Sequence, residues 1–212
     1  MEIFLDSFSI ESVEKYSTYL TGITTNPTII AKNFTNMVDF KNQVQRLIDA
    51  FPNLLINLQV GKNTWQEMVQ EARVIAEYGA NMIIKVPSTF EGLSAIKEIT
   101  KMGLRTNATL CFSLVQAQIA QDMGATYISP FLGRMEDAGT DIEEFIHNMR
   151  NVITSSKILA ASLRNVEHVE LAVGACCDAI TISENVFDAI FEQNLLIDGK
   201  NMFDSANKVE HI

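Results

Sequence analysis

Lys85 has the clearest capacity for chemistry in this sequence. It stands in Met82-Ile83-Ile84-Lys85-Val86-Pro87, an otherwise apolar run closed by a proline. A short apolar run with β-branched residues reads as a buried strand. An ammonium is costly to bury, so lysine is rare there unless its amine is wanted neutral. Desolvation lowers a lysine's pKa from about 10.4, by up to ~3–5 units at full burial. A neutral amine attacks carbonyls and forms Schiff bases. The alternative is a lysine at a strand end whose head snorkels to water.

The rest of the composition narrows what Lys85 acts upon. The chain carries a net charge of -10, which opposes nonspecific attraction to nucleic acid or anionic membranes. An anionic substrate must therefore meet locally placed cations. Cys111, Cys176 and Cys177 are odd in number and two are adjacent, so no disulfide framework is implied. No metal-ligand spacing occurs, and His147, His168 and His211 are scattered. No run reaches the ~18–20 apolar residues of a membrane span. With strand-like Ile3-Phe4-Leu5 at the start and no basic leader before it, the cytoplasm is the expected location.

The elements that must position Lys85 alternate along all 212 residues. Strands are expected at Ile3–Asp6, Gly22–Asn26, Leu54–Val60, Met82–Val86, Arg105–Leu110, Thr126–Phe131, Lys157–Ser162 and Ala179–Ser183. Amphipathic helices follow at Ile10–Leu20, Met37–Ala50, Thr64–Tyr78, Glu91–Met102, Ser113–Met123, Asp141–Ile153, Val166–Val173 and Glu184–Gln193. Ser9 and Asn36 are capping residues, and Gly79, Gly103 and Gly124 stand where helices stop. Lys200–Val209 reads as an additional C-terminal helix. Eight strand–helix units predict an α/β fold, a single (β/α)8 barrel spanning 1–212. An open doubly wound sheet would usually carry a glycine-rich loop after its first strand, where this chain has Asp6-Ser7-Phe8, so no dinucleotide fingerprint and no cofactor are indicated.

In such barrels the site forms at the C-terminal ends of the strands. Asp6, Asn26, Gln59, Lys85, Asn107, Thr109, Ser129, Phe131 and Ser162 collect there, with Arg134 and Arg164 just beyond strands six and seven. Residues two apart on a strand share a face, which pairs Asn107 with Thr109 and Ser129 with Phe131. Singly, each has a plainer reading. Asp6 could cap a helix and Asn26 could open a turn at Pro27. Gln59 and Thr109 could satisfy buried backbone groups, Phe131 could be core, and the arginines could form rim ion pairs. Jointly, their placement on one face of one barrel favours a site.

These segments resemble the short single-barrel members of the transaldolase family, which include fructose-6-phosphate aldolases. The resemblance rests on Phe4-Leu5-Asp6, Gly22-Ile23-Thr24-Thr25-Asn26-Pro27-Thr28, Ile84-Lys85-Val86-Pro87, Thr106-Asn107-Ala108-Thr109-Leu110, Ile128-Ser129-Pro130-Phe131-Leu132-Gly133-Arg134 and Ala160-Ala161-Ser162-Leu163-Arg164. By position it implies Lys85 as the Schiff-base lysine and Asp6 as the acid/base group for the donor hydroxyl. It further implies Asn26, Asn107 and Ser129 around the dihydroxyacetone part, and Arg134, Ser162 and Arg164 around phosphate. Thr109 would help position a catalytic water. The implied activity is transfer of dihydroxyacetone from fructose 6-phosphate or sedoheptulose 7-phosphate to an aldose phosphate, as in the pentose phosphate pathway. The family also implies a homo-oligomer, a pentamer or decamer.

Two positions pull apart. Gln59 stands where transaldolases carry glutamate and resembles the aldolase subgroup, whereas Phe131 resembles transaldolase and replaces the subgroup's tyrosine. Glutamine holds a water but accepts no proton at neutral pH. The readings left open are a transaldolase-like transferase, an aldolase that releases dihydroxyacetone, and a sugar-phosphate-binding protein without turnover.

Overall fold

The burial pattern of each expected strand explains why it sits where it does. The computed structural model of the chain describes residues 1–33 and 36–206. Its strands are β1 (Glu2–Leu5), β2 (Gly22–Thr24), β3 (Leu55–Gln59), β4 (Met82–Pro87), β5 (Thr106–Cys111), β6 (Tyr127–Pro130), β7 (Lys157–Leu163) and β8 (Ala179–Ile182). All are parallel and pair in sequence order, and β8 returns to β1 to close a barrel. Both faces of most strands are buried, as parallel strands require. Outward-facing Leu5, Ile23, Ile56, Ile84, Ile128, Ile158 and Ile180 join the main core beneath the helices.

The interior is layered. Phe4, Ile83, Tyr127, Leu159 and Ala179, with Leu55 packed on them, form a separate apolar plug. Phe4 and Tyr127 meet edge to face with centroids 5.8 Å apart. Two residues further along the strands, the same inward face carries Asp6, Asn57, Lys85, Ser129 and Thr181. The side-chain period of two thus turns a dry floor into a polar layer within one step of the strands.

The surrounding helices are α1 (Ile10–Tyr16), α2 (Pro27–Asn33), α3 (Met37–Ala50), α4 (Trp65–Ala76), α5 (Phe90–Lys101), α6 (Leu114–Asp122), α7 (Leu132–Asp137), α8 (Ile142–Val152), α9 (Val166–Gly174), α10 (Glu184–Phe191) and α11 (Asn194–Ala206). Ser9 caps α1 and Asn36 caps α3 as expected. Thr64, Ser113 and Asp141 are caps of their helices, which start one residue later than the sequence pattern indicated. Gly103 (φ +76°) and Gly124 (φ +88°) adopt the left-handed conformation that stops α5 and α6.

Several elements differ from expectation. The first helix ends at Tyr16 and tightens into a 3-10 turn at Ser17–Tyr19. β2 ends at Thr24, because Pro27 starts the unexpected α2; proline suits a first helical position, where no N–H partner is needed. β6 ends at Pro130, and Phe131 becomes the residue before the equally unexpected α7. The C-terminal helix begins at Asn194 rather than Lys200, since the Gln193 carbonyl already accepts from the Leu196 and Ile197 amides. Residues 207–209 of the expected helix lie outside the described residues.

Candidate active site

β4 places Lys85 in the polar layer, 3% exposed. Its ammonium donates to the Thr25 carbonyl at 2.9 Å. This bond ties β4 to the end of β2, and the lysine does not snorkel to water. Burial pushes the Lys85 amine down to about 8, and the Asp6 carboxylate partly offsets that effect. About a tenth of the amine is therefore neutral at pH 7, and the share rises to about half at pH 8.

Asp6 follows directly on β1. It does not cap a helix, a role Ser9 takes. Instead its Oδ1 accepts from the Thr24 hydroxyl at 2.9 Å. Thr24 Oγ1 lies 2.6 Å from Thr181 Oγ1 on β8.

A second chain of polar groups crosses the barrel. The Ser129 hydroxyl donates to Asn107 Oδ1 at 2.8 Å. Asn107 Nδ2 donates to Asn57 Oδ1 at 3.0 Å, and Asn57 Nδ2 donates to the Ile23 carbonyl at 3.2 Å. Strand register aligns Gln59 with Lys85 and Lys85 with Asn107, so the three share a face. Thr109 lies one step beyond Asn107, fully buried, and its Oγ1 has no hydrogen-bond partner among the described residues. Gln59 is half-buried at the end of β3.

Two bulges shape the rim. The β5–β6 register shifts between Ala108 and Cys111, with Leu110 at φ 56°. The β7–β8 register shifts between Ala160 and Leu163, with Ser162 at φ 60°. Bulges and left-handed non-glycine residues re-aim side chains and concentrate at functional sites. Here they fall beside Thr109 and at Ser162.

Phe131 covers one side of the site. Its ring centroid lies 5.9 Å from Lys85 Nζ and 5.4 Å from Arg134 Cζ. Arg134 itself is exposed on α7. Gly133 brings α7 hard against β7: a Cβ there would meet the Ser162 carbonyl at 2.3 Å and Arg164 Nε at 2.9 Å. The start of α7 is thereby packed directly against Ser162 and Arg164. Both terminal nitrogens of Arg164 pair with Asp137 at 2.5 Å. Asn26 stands apart from the crossing chain. Its Oδ1 accepts from the Ile29 amide at 3.0 Å, opening α2 as the turn reading anticipated.

Four residues of this layer escaped the sequence reading: Thr24, Thr25, Asn57 and Thr181. Asn57 and Thr181 carried a signal, a polar side chain at an alternate position of an apolar strand. Thr25 offers Lys85 its carbonyl, for which side-chain type gives no cue, while its hydroxyl donates to the Asn57 carbonyl at 2.9 Å. Elsewhere, all three cysteines are free. Burial pushes the Cys111 thiol up to about 11 and the Cys177 thiol up to about 12, which leaves both inert near neutrality. No described helix is long and apolar enough to cross a membrane.

A closed parallel barrel with a buried lysine and a carboxylate in its polar layer defines a (β/α)8 protein of the enzyme type. Among solved structures, it is similar to 3-hexulose-6-phosphate synthase from Salmonella typhimurium, with a TM-score of 0.67, 12% identity, and coverage of 89% of this chain and 90% of that one. At that identity the likeness concerns the fold alone. The family model described as Transaldolase/Fructose-6-phosphate aldolase matches residues 3–211. A probable transaldolase of Bartonella henselae is 35% identical over 209 residues, 96% of this chain and 94% of that protein. Probable transaldolase 2 of Listeria monocytogenes is 36% identical over 202 residues, 92% of this chain and 90% of that protein. The chain belongs to the transaldolase/fructose-6-phosphate aldolase family.

Proposed function

We propose that this chain is a transaldolase-type transferase that forms an imine on Lys85 and carries a dihydroxyacetone unit from a ketose phosphate to an aldose phosphate. The observation that carries this reading is the Lys85 amine, buried at the end of β4 with its pKa lowered to about 8 and the Asp6 carboxylate near enough to act on it. Lys85 attacks the donor ketone, and loss of water gives the imine. Asp6 takes the proton of the donor's C4 hydroxyl. The carbon–carbon bond breaks, and its electrons pass into the imine to leave an enamine. The aldehyde phosphate departs, and an acceptor aldehyde adds to the enamine.

Asn26, Asn107 and Ser129 hold the dihydroxyacetone hydroxyls. Arg134, Ser162 and Arg164 take the phosphate, for which two guanidinium forks are suited. They also supply the local cations that a chain of net charge -10 needs. Gln59 and Thr109 hold the water consumed and released at the imine. No cofactor or metal takes part in this scheme. The enzyme works in the cytoplasm as a homo-oligomer, consistent with exposed Leu195, Leu196, Met202 and Phe203 along α11.

Transfer is favoured over release because protonation of the enamine carbon is poorly served. Phe131 stands beside Lys85 without a hydroxyl to orient water, and Gln59 donates no acidic proton. The test is product formation from fructose 6-phosphate with and without erythrose 4-phosphate. Glyceraldehyde 3-phosphate formation that depends on the acceptor is expected. Equal rates in both arms, with free dihydroxyacetone accumulating, would assign the chain to the aldolases. Phe131→Tyr is expected to raise dihydroxyacetone release relative to transfer several-fold, and an unchanged ratio would remove position 131 from the account.

A further inference from the structure

The hydroxyls of Thr181, Thr24 and the carboxylate of Asp6 line up across three strands. Register explains why. Phe4 pairs with Thr181 on one side of β1 and with Gly22 on the other, and Asp6 and Thr24 each lie two residues further along. All three side chains therefore share the inward face. Thr24 is fully buried and Thr181 is 6% exposed.

Proton count fixes the direction of the chain. An ionised carboxylate only accepts, so the single Thr24 hydroxyl hydrogen goes to Asp6 Oδ1 at 2.9 Å. Thr24 Oγ1 then has only lone pairs for Thr181, 2.6 Å away. The hydrogen in that contact must be the one on Thr181. The order is Thr181 to Thr24 to Asp6, with both hydroxyl hydrogens committed. Asp6 has no other side-chain hydrogen bond among the described residues, so this chain supplies the one hydrogen bond that orients its carboxylate, and Oδ2 accepts none.

We propose that Thr181 is a positioning residue for the carbon–carbon cleavage step: from β8, on the far side of β1 from Thr24, it locks the Thr24 hydroxyl onto Asp6 Oδ1 and so presents Oδ2 to the substrate hydroxyl. This rests on Asp6 acting as the base in the proposed reaction. Without the donor from Thr181, the Thr24 hydroxyl is free to rotate, and the carboxylate loses its fixed orientation. Thr181 touches no reacting atom, so imine formation at Lys85 is unaffected.

The experiment separates the two steps. In Thr181→Val the rate of borohydride-trappable imine formation stays at the parent value, while kcat for cleavage of fructose 6-phosphate falls about three- to ten-fold, the size of one orienting hydrogen bond. Thr181→Ser keeps the hydroxyl and restores kcat. In an Asp6→Asn background, Thr181→Val has no further effect, because the base it positions is gone. Parent-level cleavage by Thr181→Val, or failure of serine to restore it, overturns the proposal. An equal loss with Asp6 already replaced does so as well, since it marks a merely structural effect. Should Thr181→Val fail to fold, Thr24→Val removes the same chain and must show the same split. Parent-level cleavage by Asp6→Asn alone would instead remove Asp6 as base, which is a different failure.

Discussion

Lys85→Met is expected to abolish turnover and at the same time to stabilise the protein at pH 7. The catalytic half follows from loss of the amine that forms the imine. The stability half follows from burial. The amine has a pKa of about 8 in the folded chain against 10.5 in its ordinary state. At 1.36 kcal/mol per unit, that difference corresponds to about 3 kcal/mol of folding free energy lost to holding the ammonium out of water. Methionine fills a similar volume without charge. It leaves the buried Thr25 carbonyl without the donor it has at 2.9 Å, a loss of about 1–3 kcal/mol. The net gain is therefore up to about 2 kcal/mol, or at most roughly 4–8 °C in Tm for a chain of this size.

The pH dependence of this effect has a definite sign. Below about pH 8 both folded and unfolded chains carry the proton, and the penalty is complete. Between about 8 and 10.5 the unfolded state binds more protons than the folded one, so the parent gains stability as pH rises. The advantage of Lys85→Met therefore shrinks across that window. Melts at pH 7 and pH 10 measure it. A variant less stable than the parent at pH 7 would contradict the account of Lys85 as a strained, desolvated amine.

The second large effect is expected at Asp6. Asp6→Asn keeps the shape of the side chain and still accepts from Thr24. Removal of the base should lower carbon–carbon cleavage by about 10²–10⁴-fold, the usual span for a positioned general base. Imine formation should survive. The Asp6 charge raises the Lys85 pKa against the effect of burial, so its removal lets that pKa fall further. The ascending limb of imine formation should move to lower pH in the variant. Rapid-quench trapping across pH 6–9, run beside a cleavage assay, measures both. Cleavage within about tenfold of the parent would exclude Asp6 as the base.

The sequence made the barrel legible because its signals were local. Each strand is a short apolar run, and most of the expected helices are bounded by a cap or a glycine. Lys85 stood out for the same reason, as one charge in a run that is otherwise apolar. What lay beyond reach depended on neighbours across the barrel. Nothing local shows that Thr181 faces Thr24, or that Asn57 bridges Asn107 to the Ile23 carbonyl. The extra helices α2 and α7 were hidden because they follow their strands almost without a loop. Arg164 was legible as a cation near the mouth, but its partner Asp137 lies on α7, an element the hydrophobic pattern did not reveal.

The central claim is that Lys85 forms the imine. Incubation with fructose 6-phosphate and sodium borohydride, followed by peptide mass mapping, tests it most directly. A single reduced adduct on Lys85, absent from Lys85→Met, is the predicted result. No adduct, or an adduct on another lysine that persists in Lys85→Met, would contradict the account.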